Sequence, residues 1–249
     1  MGLKPKAVSK GKAKDKAALR QADLLGDPSD LPSETPGECR FSLRFQFEIA
    51  LRRRGYALVA GIDEAGRGPL AGPVVAAAVI LPDEGFDHPL LDDSKKLSAP
   101  HRAEVAAALR AHPGVRFALA EATPEEIDTH NILRATLLAM RRAVEALSPL
   151  PHYLLIDGRD CPPVNIPGKA IIKGDSKVPS ISAASILAKE ARDATMIAWA
   201  ATHPEYGFEI HKGYGTAQHL AALRRHGPTP LHRRSFAPVG SEADPGLLL

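Results

Sequence analysis

Three short apolar runs that stop on a carboxylate limit what this chain can fold into. Ala60-Gly61-Ile62 leads into Asp63-Glu64, Tyr153-Leu154-Leu155-Ile156 leads into Asp157, and Ile171-Ile172 leads through Lys173-Gly174 into Asp175. Runs of this length, bounded by glycine, suit buried strands better than helices. An acid at the tip of a buried strand is partly desolvated and needs a partner: an arginine, a helix N-terminus, backbone donors or a metal. A single Asp-Gly pair is an ordinary turn. Three acid-tipped strands in one small sheet crowd like charges together, and a divalent cation relieves that crowding. Oxygen ligands of this kind select Mg²⁺ or Mn²⁺. Asp63 and Glu64 carry a geometric condition, because consecutive strand residues face opposite ways. Both reach one site only if the strand ends or bulges there.

The remaining elements follow from periodicity. Strands are expected at 56–62, 74–81, 115–122, 153–157 and 169–173, and helices at 41–54, 100–111, 124–147, 181–202 and 214–226. This order predicts an α/β protein with a mixed five-stranded sheet flanked by helices, antiparallel hairpins first and parallel crossovers later. Only 5% of residues are aromatic against 44% hydrophobic, so the core must be built from Ala, Val, Ile and Leu. Residues 1–38 stand apart. Lys4, Lys6, Lys10, Lys12, Lys14, Lys16 and Arg20 meet a single acid, Asp15, whereas 21–38 carry Asp23, Asp27, Asp30, Glu34 and Glu38, three prolines and no Lys or Arg. Segregated charge with little apolar content predicts a disordered extension at 1–38, ahead of a catalytic domain at 39–240 and a short tail at 241–249.

Several function classes are disfavoured. No apolar run reaches the roughly 18–20 residues of a membrane helix, and no apolar segment follows the basic N-terminus as in a secretion signal. Cys39 and Cys161 match no zinc or redox spacing and read as free thiols of a cytoplasmic protein. There is no Gly-x-x-x-x-Gly-Lys-Ser/Thr loop and no Gly-x-Ser-x-Gly elbow. A net charge of +3 is too small to argue for or against a polyanionic partner.

Three further segments carry chemistry. Gly66-Arg67-Gly68 follows the paired acids, and glycines let a backbone approach a ligand and offer it N–H and C=O groups. Lys95 and Lys96, in Asp93-Ser94-Lys95-Lys96-Leu97-Ser98, either are simply exposed or grip a phosphate backbone, with Ser98 as the cap of the next helix. His211-Lys212-Gly213-Tyr214-Gly215-Thr216 sets an aromatic ring between glycines, where it can stack on a sugar or base.

Taken in order, these segments resemble bacterial ribonuclease HII. The similarity runs from Gly61-Ile62-Asp63-Glu64-Ala65-Gly66-Arg67-Gly68-Pro69 through Asp93-Ser94-Lys95-Lys96-Leu97, Asn131-Ile132-Leu133, Ile156-Asp157-Gly158, Lys173-Gly174-Asp175 and Ala183-Ala184-Ser185-Ile186-Leu187-Ala188-Lys189. It continues through Tyr206-Gly207-Phe208 and His211-Lys212-Gly213-Tyr214-Gly215-Thr216 to His232-Arg233-Arg234-Ser235-Phe236, covering about 56–239. The resemblance implies a ribonuclease-H-like fold and four acidic ligands for two divalent ions. Asp63, Glu64 and Asp157 take three of those places and Asp175 the fourth, with Asp193 as its rival. It implies that Gly66, Arg67 and Gly68 sense a ribose 2′-hydroxyl and that Tyr214 stacks on the adjoining deoxyribose. The implied activity is cleavage of RNA–DNA hybrids, and of duplex DNA carrying a single ribonucleotide. The cut falls 5′ of the ribonucleotide, leaves 3′-hydroxyl and 5′-phosphate ends, and serves ribonucleotide removal from DNA. The protein is expected to act as a monomer away from membranes. Ser182 departs from the family pattern, where alanine is frequent, as does Glu190-Ala191. Two other readings stay open: a nuclease of the same fold acting on DNA, and a catalytically silent hybrid-binding protein.

Overall fold

The computed structural model describes residues 45–86, 88–91 and 97–240. The extension at 1–38, Cys39, Lys95, Lys96 and the tail at 241–249 lie outside the described residues. Five strands form one sheet: β1 (Val59–Ala65), β2 (Val74–Ile80), β3 (Arg116–Ala122), β4 (Tyr153–Asp157) and β5 (Gly168–Ile171), in the order β3-β2-β1-β4-β5. The pairs β1/β2 and β2/β3 are antiparallel, while β1/β4 and β4/β5 are parallel, as the element order predicts. The described helices are α1 (Gln46–Arg53), α2 (Ala99–Ala111), α3 (Pro124–His130), α4 (Ile132–Glu145), α5 (Pro179–Thr202), α6 (Phe208–His211) and α7 (Ala217–His226). No described helix is long and apolar enough to cross a membrane.

Strand alternation sorts the core into two faces. Even-numbered Ala60, Ile62, Val74, Ala76, Ala78, Leu154 and Ile156 pack on α3 and α4 through Ile127, Ala135, Ala139 and Ala143. On the other face, Ala77 and Val79 meet α2 and α5, and Val59, Tyr153 and Leu155 meet α1 and the start of α5. Asp63 and Asp157 share the odd parity, so both belong to the α5 face. The β1/β4 register runs from Val59↔Tyr153 to Ile62↔Ile156, and one step further sets Asp63 beside Asp157.

Helix α5 crosses β1 where the strand has no side chain. A Cβ on Gly61 would lie 2.1 Å from the carbonyl carbon of Ser180, so only glycine admits the helix at this depth. The helix start is held from α1: one Glu48 carboxylate oxygen accepts from the Ser180 amide at 3.1 Å and from its hydroxyl at 2.7 Å. Burial raises the Glu48 pKa above the usual carboxylate range.

Local sequence chemistry moves four boundaries from their expected places. β1 extends to Ala65, because Asp63, Glu64 and Ala65 each find a ladder partner in Ala77, Ala76 and Val75. The helix expected at 124–147 is two helices. Asn131 takes φ +68° and its side chain accepts from the Arg134 amide at 3.1 Å, which starts α4 afresh. β5 stops at Ile171, before Lys173 turns left-handed at φ +56°. The last helix begins at Ala217 rather than 214, capped by Thr216. Ser98 caps α2 as expected, accepting from the His101 amide.

Candidate active site

The sheet and one turn bring three carboxylates together. One oxygen each from Asp63, Asp157 and Asp175 lie within 4.8 Å of one another. Asp63 and Asp157 come from adjacent parallel strand ends. Asp175 arrives on a 3-10 turn, Gly174–Ser176, launched by the left-handed Lys173. The turn is pinned at both ends. The Gly174 amide donates to Asp157 Oδ1 at 2.7 Å, and the Ser182 hydroxyl of α5 donates to the Asp175 carbonyl. Ser182, the departure from the family pattern, thus ties the third acid to the helix behind it.

Asp63 is buried, and desolvation followed by the charges of Glu64 and Asp157 pushes its carboxyl well above the usual carboxylate range. The Ser185 hydroxyl and the Glu64 amide, 2.7 Å from Oδ1, partly offset that push. Crowded, oxygen-only donors of this kind fit a hard divalent cation, which removes the mutual repulsion.

Glu64 sits differently. β1 pairs one-to-one through Ala65, with neither an end nor a bulge at the acids. Glu64 therefore flanks the group of three, with Arg67 Nη1 at 3.3 Å from its Oε1. Glu64, Gly66, Arg67, Gly68, Ser185, Lys189 and Tyr214 line one cleft of about 280 Å³. Tyr214 is 45% exposed there. Asp193, the rival fourth acid, stands outside the group of three and is engaged by two cations: Nζ of Lys189, which itself lines the cleft, lies 2.7 Å from it and Arg102 Nη2 of α2 3.4 Å.

Sequence reasoning missed what supports the cleft. Two arginines are fully buried beneath the loop 66–73. Arg192 donates to the carbonyls of Pro73, Ala71 and Lys212, each at 3.1 Å. Arg233 donates to those of Gly72 (2.9 Å), Arg67 (2.9 Å), Gly66 (2.5 Å) and Pro73 (3.2 Å). Burial lowers the pKa of both guanidinium groups, that of Arg233 to about 9, which leaves it charged at neutral pH. A histidine relay holds Tyr214. The Thr229 amide donates to His232 Nδ1 at 3.0 Å, so the His232 Nε2–H donates to His219 Nε2 at 3.0 Å, and His219 Nδ1–H to the Tyr214 carbonyl at 2.9 Å. Burial depresses both imidazoles, His232 to about 4. One sequence signal was available: Ser182 and Ser185 interrupt an otherwise apolar run, three residues apart on one face of α5.

A family model described as Ribonuclease HII matches residues 60–239. A Ribonuclease HII of Neisseria meningitidis serogroup B is 57% identical over 185 residues, covering 74% of this chain and 94% of its own. One from Sphingopyxis alaskensis is 59% identical over 182 residues, covering 73% and 90%. Among solved structures, the ribonuclease H2 of Pyrococcus horikoshii OT3 superposes with a TM-score of 0.64 at 25% identity, over 74% of this chain and 96% of that one.

Proposed function

Since this chain belongs to the ribonuclease HII family, and so is a metal-dependent endoribonuclease acting on RNA–DNA hybrids, we propose that it incises 5′ of a ribonucleotide, including one embedded in duplex DNA. The products carry 3′-hydroxyl and 5′-phosphate ends. One observation carries this: Glu64, the Gly66-Arg67-Gly68 backbone and Tyr214 line a single cleft, and Asp63, next to Glu64 on β1, belongs to the group with Asp157 and Asp175. A phosphate that reaches the acids therefore has its sugar against the glycine loop.

We assign Asp63, Asp157 and Asp175 as the carboxylates that hold two divalent cations, Mg²⁺ or Mn²⁺, with Glu64 as a fourth from the flank, close enough without an end or bulge in β1 for its charge to raise the Asp63 carboxyl. Bound there, the cations supply Lewis acidity at the scissile phosphate and at the attacking and departing oxygens. The chain's own residues do the positioning. Ser185 and the Glu64 amide orient Asp63, and the Gly174 amide orients Asp157. Glu64 accepts from Arg67 within the cleft lining. The loop backbone at Gly66, Arg67 and Gly68 reads the 2′-hydroxyl, the group that separates RNA from DNA. Tyr214 stacks on the neighbouring deoxyribose, and Lys95 and Lys96 grip the phosphate backbone. The chain works as a monomer, in the cytoplasm.

Three labelled duplexes test this: one all DNA, one with a single ribonucleotide, one with a ribonucleotide block, each with Mg²⁺, Mn²⁺ or chelator. Metal-dependent cutting of the two ribonucleotide duplexes alone, 5′ of the ribonucleotide, is the expected result. Equal cutting of all three would keep a nuclease and remove the 2′-hydroxyl sensor. A folded protein that binds all three and cuts none would be a binding module.

A further inference from the structure

The loop 66–73 folds over two guanidinium groups that the chemistry above does not use. A trans peptide points its C=O and N–H in opposite directions. Arg233 draws the carbonyls of Gly66 and Arg67 down into the interior, at 2.5 and 2.9 Å. The amides of the same two peptide units, those of Arg67 and Gly68, therefore point away from Arg233, on the side where both residues are exposed. Left to itself, a glycine-rich loop offers carbonyls and amides alike. Pinned in this way it offers donors, which suit the lone pairs of a hydroxyl or phosphate oxygen.

Arg192 joins this loop to the segment that carries Tyr214. Its three donors reach Pro73 and Ala71 on one side and Lys212 on the other, and its guanidinium lies 6.0 Å from the Tyr214 ring centroid. The fit leaves no slack: a Cβ on Gly66 would lie 2.0 Å from Arg192 Nε. Backbone bonds close the joint, Leu70 amide to Gly213 carbonyl and Arg233 amide to Leu70 carbonyl, both at 2.8 Å.

We propose that Arg233 and Arg192 are positioning residues for ribonucleotide discrimination: Arg233 turns the loop amides toward the substrate, and Arg192 locks that loop to Tyr214 as one rigid reader. This rests on the reading of Gly66-Arg67-Gly68 and Tyr214 as the substrate-contacting surface. Lysine cannot replace either arginine, because one ammonium on a flexible stem does not span three or four carbonyls set around a planar fork.

The test compares wild type with Arg233→Lys and Arg192→Lys in three measurements. These are kcat/KM on a duplex with one ribonucleotide, Kd for that duplex against an all-DNA duplex in chelator, and Mn²⁺ titration of the protein alone. Each variant should lose about ten- to a hundredfold in kcat/KM, since small misplacements of a binding surface cost that much. The binding preference for the ribonucleotide duplex should collapse, while Mn²⁺ stoichiometry and affinity stay as in wild type. A purely structural role would lower the Mn²⁺ stoichiometry and the rate together through a smaller folded fraction, with the preference unchanged; that result overturns the proposal. A wild type with no preference between the two duplexes would remove the underlying reading, and the proposal with it. Should neither variant fold, amide exchange on the wild type decides. The amides of Leu70 and Gly72 must open together with those of Tyr214 and Thr216; a loop that opens alone overturns the proposal.

Discussion

The two walls of the cleft bury charge in opposite ways. On the sheet side, Asp63, Asp157 and Asp175 crowd one another, and among the described residues the donors that reach Asp63 are a hydroxyl and an amide rather than an arginine or lysine. On the loop side, Arg192 and Arg233 are fully buried, and their seven hydrogen bonds all end on backbone carbonyls rather than on carboxylates. A hard divalent cation would relieve the like charges that raise Asp63, so that wall fits a metal ion. The arginines are already satisfied, so theirs is a finished structural joint. Buried charge is thus a sign of a ligand site only where its own neighbours fail to compensate it.

Substitutions in the two walls should then act with opposite signs on the metal-free protein. Asp63→Asn is expected to lower kcat/KM by about 10³-fold or more, since a metal ligand contributes several kcal/mol to barrier lowering. Duplex affinity in chelator should largely survive. The same variant, melted in chelator, should be at least as stable as wild type, because a crowded buried charge is gone. Arg233→Ala should instead lose about 3–5 kcal/mol, as buried carbonyls lose their donors and a cavity opens. Chemical denaturation of the three proteins checks both signs. A destabilised Asp63→Asn would mean that the acid wall is structurally satisfied as it stands.

The sheet wall also depends on how closely α5 approaches it. Gly61→Ala would drive a methyl into the Ser180 backbone at 2.1 Å. The helix has to retreat, taking Ser182 and Ser185 away from Asp175 and Asp63. A loss of about 3 kcal/mol in stability is expected, at the upper end of ordinary overpacking, with activity falling further than the folded fraction. Unchanged activity per folded molecule would separate α5 from the placing of the acids.

How far this was legible in the sequence differs between the walls. Asp63, Asp157 and Asp175 stand out because acids at the tips of apolar runs break a local pattern, and a period of two then gives Asp63 and Asp157 a common face once their strands pair in parallel. The position of Glu64 was not legible: whether β1 ends, bulges or continues depends on a ladder with Val75, Ala76 and Ala77 that no local rule specifies. The break at Asn131 was hidden because helical periodicity continues across it. The loop wall was almost wholly hidden. Arg192 and Arg233 look like solvated surface residues in a one-dimensional pattern, and only long-range packing puts carbonyls around them. His219 and His232 are likewise thirteen positions apart, and only the folded closing segment makes them partners.

That histidine pair offers a milder way to disturb the loop wall. The His232 imidazole sits at about 4 in the folded protein, against about 6.5 in an unfolded chain. The folded value is the lower one, so between these two pH values the unfolded chain binds the extra proton. The contribution is therefore fully present above pH ~6.5 and is lost as pH falls toward 4, on the order of 2–3 kcal/mol in total. His219, also depressed, adds in the same direction. His232→Gln should flatten the drop in urea midpoint between pH 7.5 and pH 5, at some cost in stability at pH 7.5. An unaltered pH slope in that variant would place the acid sensitivity elsewhere.

The smallest expected effect concerns the choice of fourth acid. Asp193 lies on α5 within an ion-pair cluster, 2.7 Å from Lys189 and 3.4 Å from Arg102, which also reaches Glu190 at 2.7 Å. Its neighbours already compensate it, as carbonyls compensate the buried arginines, so by the same criterion it belongs to the structure rather than to the ligand site. Partly exposed ion pairs contribute little, so Asp193→Asn should cost no more than about 1 kcal/mol. With so small a structural effect, kcat/KM should stay within about twofold of wild type. Asp175→Asn, whose carboxylate stands with Asp63 and Asp157, should fall with Asp63→Asn by about 10³-fold. Steady-state rates of the two variants on the single-ribonucleotide duplex make the comparison. If Asp193→Asn proved as damaging as Asp175→Asn, compensation by near neighbours would not be a sufficient test for excluding an acid from the metal site.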